Sequence, residues 1–214
     1  MTFSIVARDP ATRALGVATA TGGPVVGSLV PHARAGVGAI ATQASTNGLY
    51  AYDGLDALAR PGADAQTVLD QLVAGDPQRE RRQCLIIDFA GSAAVWTGSA
   101  CEPYADARIG SDVAVGGNLL ADAGVLQAML EAFAATSGAL EDRLLAALTA
   151  GEHAGGDRRG TRSAALKVYT NDPFPATDLR ADWSEQPIAD LGAILAATRE
   201  PGYADFFNRL PRRV

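Results

Sequence analysis

Short apolar and β-branched runs alternate with turn residues in the first part of the chain, a pattern typical of paired strands. Residues 2–7 and 15–20 form two such runs, and the segment between them contains Asp9 and Pro10. Proline beside aspartate favours a turn, so these runs are predicted to form a β-hairpin. Residues 35–42 are a third apolar run and predict another strand, whose glycines permit close approach of a second backbone.

The rest of the chain combines helical periodicity with further strand signals. Apolar residues recur at helical spacing in four segments: 50–73 with a break at Pro61-Gly62, a segment ending near Phe133, 140–148 and 188–197. Strand signals recur in four more: 84–89 and 93–97, which predict a second hairpin, then 113–115 and 164–169. Strands joined by short turns, with helices in groups, indicate an α+β fold with antiparallel sheets. Because no repeat or linker divides residues 1–214, we expect one domain.

The composition is that of a globular protein and argues against several functions. Hydrophobic residues make up 48% of 214 residues and charged residues 20%, enough for a substantial core. The net charge of −6, without a basic patch, argues against nucleic acid as a partner. No run is apolar enough for a membrane span or a secretory signal, so no membrane partner is expected. Two cysteines and two histidines predict neither a disulfide framework nor a metal site, and a cytoplasmic location is expected.

Threonine at position 2 is the first candidate for catalysis. A small residue after an initiator methionine normally allows that methionine to be removed, which would leave Thr2 with both a hydroxyl and a free α-amine. An α-amine titrates near neutrality, and threonine paired with its own amine is an activated nucleophile. The alternative is that Thr2 is merely the first residue of an edge strand. The N-terminal sequence alone favours that alternative.

Two segments at predicted strand ends offer hydrogen-bond donors. Asn118 follows two glycines at a strand-to-helix junction, where asparagine is a preferred helix cap and backbone N–H groups suit an anion. Gln43 lies similarly at the end of a strand and before a helix. An oxyanion hole needs such donors aimed at developing negative charge. Taken alone, both segments favour capping and loop packing over catalysis.

The loop 155–160 and one cysteine complete the chemically suggestive features. Asp157 and Arg159 lie in this loop just before a strand, and form either a surface ion pair of little energetic value or a clamp for a substrate carboxylate. The loop alone favours the ion pair. Cys101 is a second potential nucleophile, but a cysteine without a histidine nearby in sequence is typical of a small buried side chain.

Several segments, taken in order, resemble one known family. They are Thr2 to Pro10, Leu15-Gly16-Val17-Ala18, Val30-Pro31, Ala35-Gly36-Val37-Gly38-Ala39, Ala41-Thr42-Gln43-Ala44, Arg82-Gln83, Thr97-Gly98 with Cys101, Gly117-Asn118, Ala154 to Gly160, and Ser163-Ala164-Ala165-Leu166. Together they are similar to the family catalogued as domain of unknown function 1028, which is grouped with the N-terminal-nucleophile hydrolases. The resemblance spans nearly the whole chain and is more specific for fold than for activity.

The resemblance implies a four-layer αββα sandwich, in which two antiparallel sheets lie between helical layers. In such hydrolases the N-terminal residue ends a central strand and its own amine is the base, and Thr2 would take this position. The function implied is an amidohydrolase that cleaves a small C–N bond without a cofactor. Thr2 would be the nucleophile, and Gln43 or Asn118 would donate to the oxyanion. Asp157 would orient the amine, and Arg159 with Ser163 would bind a substrate carboxylate.

One departure from the proteasome-type pattern keeps an alternative open. Such sites use a lysine on an early strand, whereas the only lysine here is Lys167, late in the sequence. Arg34 lies in roughly the expected region, but an arginine does not exchange protons at neutral pH. The alternative is a non-catalytic protein that binds a small ligand on the same fold. Homo-oligomerisation is compatible with the fold class, and no sequence feature specifies it.

Overall fold

The computed structural model of the protein describes residues 2–211, which form two antiparallel sheets and six α-helices. The strands are β1 Thr2–Arg8, β2 Leu15–Thr21, β3 Pro31–Arg34, β4 Gly38–Ala44, β5 Arg82–Asp88, β6 Ala93–Thr97, β7 Asp106–Gly110, β8 Val113–Asn118, β9 Ser163–Tyr169 and β10 Thr177–Ala181. The helices are α1 Leu49–Leu58, α2 Ala65–Ala74, α3 Gly124–Ala135, α4 Leu140–His153, α5 Pro187–Thr198 and α6 Pro201–Asn208. None of the described helices is long and apolar enough to cross a membrane.

Strand β1 lies inside the larger sheet. That sheet has the order β10-β9-β2-β1-β8-β7, and the smaller sheet has the order β3-β4-β5-β6. Thr2 is opposite Thr21 of β2 on one side and opposite Asn118 of β8 on the other. The interpretation of Thr2 as part of an edge strand is therefore wrong, because β1 is hydrogen-bonded along both of its sides.

Three apolar clusters hold the sheets and helices together. Successive residues of a strand point to opposite faces, so Phe3 and Ile5 pack with α3, α4 and α5, while Val6 packs between the two sheets. The third cluster joins the smaller sheet to α1 and α2, and includes Ile40 and Ile86. Burying one side chain of this size contributes about 1.5–3 kcal/mol, so the alternation along β1 fixes which face meets which layer.

The sequence predictions hold for the central elements and fail at some boundaries. Both predicted hairpins are confirmed, as β1 with β2 and β5 with β6. The predicted strand 35–42 is wrong at its start, because residues 35–37 form a turn between β3 and β4 in which Gly36 has a φ of 71°. The helical segment 50–73 is two helices, α1 and α2. Four elements have no counterpart among the predictions: β3, β7, β10 and α6.

Candidate active site

The layer between the sheets turns polar at the end where β1 begins. Alternation along β1 puts Thr2 and Ser4 on the same face as Val6, which is the face toward the smaller sheet. Ser4 Oγ donates to Gln43 Oε1 at 2.5 Å and lies 2.8 Å from Thr19 Oγ1. A carbonyl oxygen only accepts, so the hydroxyl of Thr19 is the group that donates to Ser4.

Gln43 is a link between the two sheets. Its Nε2 donates to Gln83 Oε1 at 2.7 Å, to the Gly116 carbonyl at 3.2 Å and to the Thr2 carbonyl at 3.4 Å. The residue is fully buried. An amide has two N–H groups, and protein acceptors occupy both. Gln43 thus reaches the backbone of Thr2, and its donors are aimed at the protein rather than at an open site.

Gln83 is a second buried amide in this layer; it lies in one of the resembling segments, but no role was predicted for it. Its Nε2 donates to Thr97 Oγ1 and to the Gly117 and Asp106 carbonyls at 2.9–3.0 Å, and its Oε1 accepts from Asn118 Nδ2 at 3.1 Å. It is paired in register with Gln43 across β4 and β5. A glutamine beside the apolar run that starts at Cys84 is the signal that could have revealed it.

Asn118 ends β8 and does not cap a helix. The next helix, α3, begins only at Gly124, so the capping interpretation is wrong. Asn118 is 2% exposed, and its side chain points between the sheets to reach Gln83. The structure therefore brings Asn118 directly beside Thr2, its partner on the neighbouring strand.

Thr2 itself is buried at the end of β1. It is 7% exposed, and its Oγ1 lies 3.3 Å from Thr21 Oγ1. Thr21 is a further residue that the sequence analysis missed, although it ends the second strand of the predicted hairpin. Met1, whose removal is predicted, lies outside the described residues.

Asp157 lies beyond the beginning of β1. Its Oδ2 accepts from the backbone N–H of Gly22 at 2.5 Å, and its backbone bridges to Leu120. Gly22 follows β2 and Leu120 follows β8, so Asp157 spans the gap between the two strands that flank β1. Its side chain has no exposed surface, so the interpretation of Asp157 as part of a solvated surface ion pair is wrong.

Arg159 and Ser163 hold the segments around Asp157 in place. Arg159 directs Nε and one terminal nitrogen at the carboxylate of Asp157, at 3.2 and 3.1 Å, and its side chain is 49% exposed. Ser163 is fully buried; its Oγ donates to the Gly23 carbonyl at 2.7 Å and accepts from the Val26 N–H at 3.2 Å. Ser163 therefore anchors the segment after β2 to β9.

The described residues give Thr2 no neighbouring lysine, no activated thiol and no cluster of metal ligands. Lys167 lies four residues beyond Ser163, about 13 Å along β9, and pairs with Asp178 at 3.6 Å. Burial raises the pKa of the Cys101 thiol, which donates to the Arg82 carbonyl, so the thiolate is disfavoured. Across residues 2–211, no three His, Cys, Asp or Glu side chains gather as metal ligands would.

A polar cavity opens at the same end of the sheets. Its volume is about 190 Å³. Its lining comes from the ends of β4 and β8 and from the segments around β5 and β6: Ala44, Ser45, Arg81, Ala100, Cys101, Glu102, Asn118 and Leu119. Asn118 thus connects the cavity to Thr2, which lies on the adjacent strand.

Comparisons with known proteins place the chain in a family. The crystal structure of protein SPO2555 from Silicibacter pomeroyi, also a DUF1028 protein, is 35% identical, with a TM-score of 0.92 over 99% of this chain and 95% of that one. Two structures of Anbu match at 10% identity. Anbu (ancestral beta-subunit) from Yersinia bercovieri has a TM-score of 0.42 over 99% of both chains. Anbu from Hyphomicrobium sp. strain MC1 has a TM-score of 0.45 over 98% of both chains. A comparison with curated proteins finds no match. A model of the family of unknown function DUF1028 matches residues 2–191, and the chain therefore belongs to that family.

Proposed function

We propose that the protein is an amidohydrolase of the N-terminal-nucleophile type, in which Thr2, freed of Met1, attacks a small amide. The observation that carries the proposal is that Thr2 begins a central strand, while the buried carboxylate of Asp157 lies beyond that beginning, bridging the segments that follow the two flanking strands. The packing of α3–α5 on one sheet, α1 and α2 on the other, and apolar side chains between the sheets supports an αββα sandwich.

The proposed reaction uses the α-amine of Thr2 as its base. The amine takes the hydroxyl proton while Oγ1 attacks the amide carbon, and it then gives that proton to the leaving nitrogen. The product is an acyl ester on Thr2. Water then attacks the ester carbon and gives a proton to the amine. The bond from that carbon to Thr2 Oγ1 breaks, the amine returns the proton to Oγ1, and the acid is released. Asp157 would orient the protonated amine through charge and hydrogen bonding.

Asn118 is the favoured oxyanion donor in this proposal. One N–H of its Nδ2 is directed at Gln83, and the other has no partner among residues 2–211. A fixed amide donor in a water-poor site stabilises developing negative charge strongly. Gln43 would act indirectly, because its bond to the Thr2 carbonyl fixes the nucleophile's backbone. Arg159 would hold the Asp157 carboxylate in place through its two bonds, and its exposed edge, with Ser163 holding the adjacent loop, is one candidate clamp for a substrate carboxylate.

The experiment is intact-mass analysis after exposure to a hydroxyl-acylating β-lactone, followed by a screen of small amides. A mass without Met1, carrying one adduct on Thr2, supports the proposal. Thr2→Ala should lose both the adduct and the turnover, whereas Thr12→Ala, at an exposed position in the β1–β2 link, should keep both. Full amide hydrolysis by Thr2→Ala would contradict the assignment.

The second candidate is a non-catalytic protein that binds a small ligand. The observation that favours it is the position of Lys167, which is opposite Val17, four residues along β2 from the partner of Thr2, and pairs with Asp178; Thr2 therefore lacks the lysine of proteasome-type sites. This candidate predicts retained Met1, no lactone adduct, and ligand binding without a product. Any product formation that depends on Thr2 would exclude it.

A further inference from the structure

The cavity beside Asn118 is close enough to Thr2 to hold part of a substrate. Directly paired residues on antiparallel strands have Cβ atoms about 4.5–5.5 Å apart and point to the same face. Asn118 and Thr2 are such a pair, and Asn118 also lines the cavity. A small molecule in contact with Asn118 therefore lies within one side-chain length of the Thr2 hydroxyl.

Two walls of the cavity have left-handed backbone at residues other than glycine. Ala44 has a φ of 68° and Leu119 a φ of 54°, and each directly follows a residue of the polar layer. Side chains with a Cβ adopt this conformation only at an energetic cost, and such residues concentrate at ligand sites. At both positions the strand ends and the chain turns away, which opens the space between β4 and β8.

Asn118 offers the cavity an acceptor that the protein does not use. The residue is 2% exposed, and its Nδ2 is bonded to Gln83. No group within residues 2–211 donates to its Oδ1. Among the described residues, the buried side-chain atoms without a partner are Arg8 Nε and Tyr50 OH, so Asn118 Oδ1 keeps surface at the cavity, where a donor carried by a ligand can reach it.

Arg81 and Glu102 supply opposite charges to the same cavity. Both are exposed, and neither forms an ion pair with another residue of the described chain. The neighbouring charges are committed elsewhere: Arg82 pairs with Asp76, and Glu80 accepts from Ser99. An unpaired guanidinium binds a carboxylate bidentately, and an unpaired carboxylate binds an ammonium.

We infer that this cavity binds a small zwitterionic amide, with its ammonium on Glu102 and Asn118 Oδ1. Its carboxylate binds Arg81, which lines the cavity, rather than Arg159, which is bonded to Asp157. The substrate class rests on the proposed function, since only Thr2 chemistry makes the bound amide a substrate. Two sources share this chemistry: a dipeptide, and an amino acid that carries a side-chain amide. The amide carbonyl would then face Thr2, one strand away from Asn118.

The test measures binding in Thr2→Ala protein by isothermal titration calorimetry, so that turnover does not interfere. The probes are L-alanyl-L-alanine and L-glutamine, each also with its ammonium acetylated or its carboxylate amidated. Arg81→Ala should raise the Kd of the bound zwitterion at least about tenfold and leave that of its amidated form unchanged. Glu102→Ala should do the same for the zwitterion and spare the acetylated form.

Matched variants control for the general electrostatic effect of removing one surface charge. Arg79→Ala removes an exposed arginine two residues away that does not line the cavity, and Glu131→Ala removes an exposed glutamate on α3. Both should leave the Kd unchanged. Binding of only one zwitterion identifies which of the two ligand types the cavity accepts. Failure of both to bind at millimolar concentration, or equal Kd values for Arg81→Ala and Arg79→Ala, would overturn the inference. Because binding is measured without Thr2, loss of Thr2 chemistry alone leaves this inference intact.

Discussion

Replacing Gln43 with leucine tests whether the polar layer stabilises the contact between the sheets. The change removes one acceptor, which binds Ser4 Oγ at 2.5 Å, and two N–H donors, which reach Gln83 Oε1 at 2.7 Å and the Gly116 and Thr2 carbonyls at 3.2 and 3.4 Å. At about 1 kcal/mol net for each bond, the loss is about 3 kcal/mol. The apolar surface of a buried leucine offsets about 1 kcal/mol of this loss. We expect Gln43→Leu to lower the free energy of unfolding by about 2 kcal/mol.

Urea unfolding followed by circular dichroism measures this effect, with Gln66→Leu as the matched control. Gln66 is exposed on α2 and makes one side-chain bond, to Asp70, so its replacement should change stability by less than about 0.5 kcal/mol. A double variant with Gln83→Leu should lose about 1 kcal/mol less than the sum of the single losses, because the two amides are bonded to each other. Equal small losses for Gln43→Leu and Gln66→Leu, or strict additivity with Gln83→Leu, would refute the reasoning.

Three further expectations follow from other contacts. In Gly22→Ala the new methyl group would lie 2.8 Å from the carboxylate of Asp157 and should cost about 1–3 kcal/mol in thermal or urea unfolding, whereas Gly23→Ala, with no atom within 4 Å, should be neutral. Burial acts to raise the pKa of Asp76, but bonds from the Arg82 guanidinium and nearby amides prevail and lower it from 3.8 to about 2. The contribution of the Asp76 carboxylate to stability is therefore complete above about pH 4 and is lost as the pH falls through 2. The difference in unfolding free energy between wild type and Asp76→Asn should shrink over that range. Cys101 should react with iodoacetamide at pH 7.5 several times more slowly in the folded than in the urea-unfolded protein, because burial raises its pKa; equal rates would contradict this.

The elements that the sequence predicted well are those whose apolar pattern is dictated by burial on both faces. All seven residues of β2 are buried, so its apolar run could be read directly, as could that of β5. Three edge strands, β3, β7 and β10, gave no such signal, whereas β6, at the edge of the smaller sheet, was predicted from its own apolar run. In β10, Asp178 and Arg180 are exposed, because the outer side of an edge strand meets water and carries polar residues.

The site was only partly predictable for a related reason. Thr2, Asn118 and Asp157 stand at strand starts, strand ends and turns, where residue type is informative, and the structure brings these three together. The roles of Thr21 and Gln83 were not predicted, because these residues matter through contacts made across strands and between sheets. Local sequence does not specify which buried glutamine meets which strand end.

The position of β1 couples the proposed nucleophile, Thr2, to the opening of the whole fold. A strand bonded on both sides and covered on both faces exchanges its amide protons only when the fold opens globally. Phe3, Ile5 and Val6, all without exposed surface, should therefore be among the slowest residues in hydrogen exchange. Thr2 shares that framework, so local fraying would not displace its backbone before the rest of the sheet gives way. Heating should accordingly disrupt the surroundings of Thr2 and the native fold in one cooperative step.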